Sequence, residues 1–187
     1  MFDALKYRLA RRRALKRVRA RTVRPWSPSP VARHVLVVMP VGEEAAREAW
    51  RFVKSLGLPP KQVTPVVLSG EVTYVPAEYV RFLQRLDGED VGKLGLPRAE
   101  FAEKVWGEHP GVAFCLVPEF DLGAAYLVGA SPAQLRVGLY SEEAEPFFDL
   151  MIAPGASFAS AFASLRDTLR RMDPPALALG SLGGEAN

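Results

Sequence analysis

Short apolar runs alternate with amphipathic stretches along most of this chain, and that alternation predicts strands and helices in turn. Residues 34–39 (HVLVVM), 63–68 (VTPVVL), 112–117 (VAFCLV) and 135–140 (LRVGLY) are the strand candidates, with a further apolar run at 147–152. Runs with apolar residues on both faces suit strands covered from both sides, as in a mainly parallel sheet. Between the first two lies 43–56, where Ala46, Ala49, Trp50 and Val53 recur at helical spacing and Gly57 marks the end. Strand, helix and strand then make a right-handed βαβ unit. Asp121 can cap a short helix of small and apolar residues reaching Gly129. A short helix at 98–106 closes at Gly107. A last one opens at Ser157, turns Phe158, Phe162, Leu165, Leu169 and Met172 one way, and stops at Pro174-Pro175. Residues 77–86 fit two patterns. Tyr79, Phe82, Leu83 and Leu86 match a helix after Pro76, while Val80, Phe82 and Leu86 match an alternating strand.

The first 24 residues differ. Gly and Pro are absent before Pro25, which predicts a helix. Phe2, Leu5 and Leu9 share one side, but the stripe is narrow and fades towards Leu15 and Val18. Most of this helix is therefore expected to stand off the core as an arm. The run from Pro25 to Pro30 holds three prolines and predicts a semi-rigid spacer. The division expected is a basic helical arm (1–24), a Pro-rich linker (25–32), one Rossmann-like α/β domain with a mainly parallel sheet (33–173) and a Gly-rich flexible tail (174–187).

Charge sharpens this division. Residues 1–24 hold ten Lys or Arg against Asp3 alone, whereas residues 25–187 hold 14 basic and 20 acidic side chains. A basic arm on an acidic body points to a polyanionic partner, nucleic acid or anionic lipid. Arg8, Arg11, Arg12, Arg13, Lys16, Arg17, Arg19, Arg21 and Arg24 are the candidate phosphate-binding residues, since guanidinium forks match phosphate geometry. Such contacts position a nucleic acid without reading its sequence. The single cysteine, Cys115, leaves no disulfide framework and fits a reducing compartment. No apolar run is long enough to span a membrane, and the basic start lacks the apolar core of a signal peptide. The cytoplasm is the expected location.

Catalytic chemistry is harder to find. The turn at 40–44 follows a strand and opens a helix, where many α/β proteins hold phosphate. Here it has one glycine, and Glu43 and Glu44 already satisfy the helix dipole. His34 and His109 have no partners at metal-ligand spacing, so both are expected to be structural. Cys115 lies within a core strand as a small hydrophobe. The serines at 157, 160 and 164 lack a nucleophile-elbow pattern. Glu142, Glu143, Glu145 and Asp149 read as a solvated acidic loop. No catalytic, cofactor-binding or metal-binding set is expected.

The segment VAFCLVPEFDLGAAYLVGASPAQLRVGLYSEEAEPFFDLMI, with the earlier EDVGKLGLP, resembles an uncharacterised family of small bacterial proteins. That resemblance implies a basic N-terminal segment joined to one α/β domain. The layout is also distantly similar to the N-terminal half of lipopolysaccharide heptosyltransferases. Gly42-Glu43 falls at their Gly-Asp position and Arg136-Val137-Gly138 at their R-[IV]-G position. Glu43 replaces the catalytic Asp, and no second, sugar-nucleotide domain is present, so the resemblance implies the fold rather than the transferase.

The function expected is a non-enzymatic binding protein whose arm engages a polyanion, structured RNA or the ribosome ahead of DNA. A protein partner is compatible with this. Two alternatives remain: a glycosyltransferase-like half-domain using Glu43 as a base, and a peripheral membrane adaptor inserting Phe2, Leu5 and Leu9 beside anionic headgroups. An independent arm also implies that residues 1–24 can be deleted to leave a folded, soluble domain.

Overall fold

The computed structural model describes residues 2–21, 34–68, 74–107, 109–153, 155 and 157–172. The expected linker and tail, with Arg24, lie outside these residues. Among the described residues the strands are β1 (Val35–Val38), β2 (Val63–Val67), β3 (Gln84–Arg85), β4 (Val112–Cys115), β5 (Leu135–Leu139) and β6 (Leu150–Ile152). They form one sheet in the order β3-β2-β1-β4-β5-β6, with every neighbouring pair parallel. This is a Rossmann-like α/β sheet.

Alternation along the strands divides the core in two. Val35, Val37, Val112 and Phe114 turn to one face, where they meet α2 (Glu43–Ser55) and α5 (Phe158–Met172). Leu36, Val38, Ala113 and Cys115 turn to the other, beneath α3 (Ala99–Trp106) and α4 (Leu122–Gly129). The predicted buried sides of α2 and α5 are the observed ones, with Ala49, Trp50 and Val53 on α2 and Phe162, Leu165 and Leu169 on α5. Asp121 caps α4, accepting from the Ala124 N–H at 2.7 Å. Ser157 accepts from the Ser160 N–H at the start of α5. Helix and strand both occur in the ambiguous stretch: a 3-10 helix at Ala77–Phe82 precedes the two-residue β3. The last apolar run pairs only from Leu150, because Phe147 instead fills the core beneath α4 and packs tightly against Gly129.

The N-terminal helix α1 (Phe2–Arg19) forms as expected but does not stand apart. Ala10, Ala14 and Val18 are buried and join the core cluster of α3 and α4. Leu5 and Leu9 at the start of the expected stripe are 58% and 48% exposed, whereas Leu15 and Val18 at its end pack on the core. The physical reason lies in α4. From Ala124 to Gly129 that helix is buried all round, so it needs cover on its outer side as well as from the sheet. Its small residues admit a close neighbour, and alanines one turn apart supply one. At either end of the contact the Tyr7 hydroxyl bonds to Glu143, and the Arg21 guanidinium donates to Gly129 O at 2.9 Å and Asp149 Oδ1 at 3.0 Å. The arm is a docked layer of the domain.

Arg136 is a second buried anchor. It is 1% exposed, donates to Asp149 Oδ2 at 2.8 Å and meets the Ser131 carbonyl at 3.1 Å. Asp149 therefore belongs to a structural ion-pair network and not to a solvated loop. Cys115 is buried as expected, and desolvation pushes its thiol up to about 12. Because the neutral thiol is favoured, native protein at pH 8 should resist a thiol-specific disulfide reagent and label fully only in denaturant. Rapid native labelling would show that β4 opens.

Candidate functional site

Two places on this scaffold could meet a ligand. The first follows from the strand order. The chain leaves β1 towards β2 over one face and leaves β4 towards β5 over the other, so the carboxyl ends of β1 and β4 flank a crevice. It measures about 530 Å³ and is lined by Gly42, Glu43, Glu44, Glu119, Asp121 and Phe158 among others. Gly42 opens α2 at φ +95°, a conformation that favours glycine, and no side chain caps the helix there. The dipole is met instead by Glu43 and Glu44 in the first turn, and Glu43 is ion-paired to Arg47. Four carboxylates around the crevice disfavour a phosphate. No His, Cys, Asp and Glu grouping among the described residues could hold a metal ion. His34 bonds Thr64 at 2.7 Å, and His109 sits in a turn at φ 48°.

The second place is the outer side of α1. With Ala10, Ala14 and Val18 turned inward, helical geometry turns Arg8, Arg12, Lys16 and Arg19 outward, successive members about one turn apart. Leu5 and Leu9 share that outward side nearer the N-terminus. Arg13 and Arg17 project along one flank, and Arg11 is half-buried on the other. Arg21 is the exception among the predicted site residues. It is consumed by the docking contact, and burial together with the adjacent Arg136 guanidinium lowers its pKa while Asp149 opposes them.

Arg13 and Arg17 line a groove of about 420 Å³ beside the loop 92–98 and the start of α3. Lys93, Arg98 and Tyr126 complete its polar lining with Glu100. Lys93, Arg98 and Tyr126 escaped the sequence reading because they lie far from the basic run in sequence. A cluster of cations assembled from two segments about 80 residues apart leaves no local charge signal.

No protein-family model, curated protein or solved structure matches this chain. No helix among the described residues is long and apolar enough to cross a membrane.

Proposed function

We propose that this chain is a binding protein that engages a polyanion through α1, with structured RNA or the ribosome as the partner. One observation carries the reading. Of the nine Lys and Arg from Lys6 to Arg21, only Arg21 makes an ion pair with a described residue. Eight cations held on a docked helix without counter-charges form an electrostatic footprint for phosphates. Docking adds to it, because the helix is ordered before binding and loses less conformational entropy on association. The acidic switch-point crevice offers no comparable case for transfer chemistry.

A second reading has its own support in the exposure of Leu5 and Leu9 beside Arg8 and Arg12. An outward face with leucines and arginines also fits the surface of an anionic membrane. Salt and substitution separate the two. With about six phosphates engaged, affinity for a short hairpin RNA should fall by roughly three decades between 50 and 200 mM salt. Leu5→Ser with Leu9→Ser should leave that binding nearly unchanged. Protein that ignores the hairpin and ribosomes at low salt, yet floats with phosphatidylglycerol vesicles until those leucines are replaced, would reverse the choice.

A further inference from the structure

We propose that the groove between α1 and the start of α3 is a phosphate-binding pocket, built to seat one phosphoryl group among Arg13, Arg17, Lys93 and Arg98. The inference rests in part on the polyanion reading, but the pocket has a structural basis of its own.

Four cations from two segments, α1 and the loop 92–98, converge on one concavity, with Glu100 as the carboxylate in its lining. None of the four makes an ion pair with a described residue; Arg98 spends only its Nε, on the Val91 carbonyl at 3.4 Å. Like charges gathered without counter-ions repel one another, and a bound dianion relieves that repulsion. Tyr126 supplies an independent sign. The residue is 6% exposed overall and lines the groove, and its hydroxyl, which is not a buried atom, makes no hydrogen bond to a described residue and is open to a ligand there. Arg13 and Arg17 both act electrostatically on that phenol, which places their charge beside it.

The backbone contributes as well. Helix α3 starts at Ala99 after an N-cap, Arg98, that gives it no side-chain cap, so its first amides are available to an anion at the positive end of the helix. The loop carrying Lys93 and Arg98 is pre-set. Gly92 N–H donates to Leu96 O at 2.8 Å, Arg98 N–H donates to Asp90 O at 2.7 Å, and Val91 pairs with Pro97. Gly95 takes φ +80° within it, which a side chain would oppose. The bonded loop and the docked helix thus fix the backbone positions from which the four cations reach the groove. The phosphoryl group can come from an RNA backbone or from a small soluble phosphate compound, and the chemistry recognised is the same.

The test compares full-length variants of equal charge. Arg17→Gln with Lys93→Gln alters the groove; Arg12→Gln with Lys16→Gln alters the outer ridge. All four side chains are exposed, so both proteins should fold. Tyr126→Phe removes the groove hydroxyl alone. Inorganic pyrophosphate should raise the Tm of the wild type and the ridge variant in a saturable way. Apparent pyrophosphate affinity should fall about tenfold or more in the groove variant and measurably in Tyr126→Phe. A groove variant that responds to pyrophosphate as the wild type does would overturn the proposal, whatever RNA does. Hairpin RNA separates the sources. If groove changes weaken RNA binding more than ridge changes, the pocket seats a backbone phosphate. If pyrophosphate depends on the groove but RNA binding is absent or falls equally in both variants, the pocket serves a small phosphate compound. RNA binding without a groove-dependent pyrophosphate response leaves the polyanion reading standing and removes the pocket.

Discussion

Removal of residues 1–21 should unfold the domain or leave it aggregating, where an independent arm could be cut away without harm. The truncation uncovers the outer side of α4, where Tyr126 and its neighbours are buried, and takes Ala10, Ala14 and Val18 out of the same cluster. Burial of these side chains and of the surface they cover contributes on the order of 5 kcal/mol. Domains of this size keep only about 5–15 kcal/mol in total. A milder version keeps the charge footprint: Ala14→Glu places a carboxylate at a fully buried small-residue contact. It should lower the denaturant midpoint sharply and detach the helix, giving fast amide exchange in α1 with slower exchange in β1 and β4. A truncated protein with wild-type stability and a cooperative transition would show that the docking contributes little.

Asp149→Ala should be the most damaging substitution among the exposed-loop acids. Asp149 accepts from the Arg136 guanidinium and backbone N–H on one oxygen and from Arg21 on the other. Its loss leaves Arg136, 1% exposed, without its anion. Stranding a buried charge costs about 3–5 kcal/mol, and the partial exposure of Asp149 places this case near 3. The corresponding fall in Tm is about 6–12 °C for a chain of this length. Combining Asp149→Ala with Arg136→Met should recover part of the loss, because the stranded charge is then gone. By contrast Glu142→Ala and Glu145→Ala, with no described ion pair, should stay within about 0.5 kcal/mol. Equal, small effects at all three positions would remove the network from any structural role.

The sheet could be read from the chain because its signals are local. Val35–Val38 and Val112–Cys115 are apolar on both faces, and Ala49, Trp50 and Val53 keep helical spacing, so each segment declares its own burial. The docking of α1 left a weaker trace. Alanine is neutral to a reading that looks for large apolar residues, and Leu5 and Leu9 drew attention to the face that is exposed. The trace lay elsewhere, in α4: a helix apolar on every side announces that a second layer covers it. Basic residues of α1 were legible as a candidate surface, while the groove was not, because Arg17, Lys93 and Arg98 meet only through tertiary packing. Arg136 and Asp149 were hidden for the same reason, since two charges in a sequence do not show that one is buried against the other.

The contact between α1 and the rest of the fold spans a long stretch of chain. Arg21 reaches Gly129 across 108 positions and Asp149 across 128. During synthesis the helix leaves the ribosome well before its partners exist. At roughly 5–20 residues per second, the interval is on the order of ten seconds. Throughout that time its inner alanines are uncovered and its cations lie close to ribosomal RNA, the nearest polyanion. The docking contacts can be completed only once α4 and the loop carrying Asp149 have emerged. Helix α1 is thus made long before its contacts at Gly129 and Asp149, and only β6 and α5 follow them in the order of synthesis.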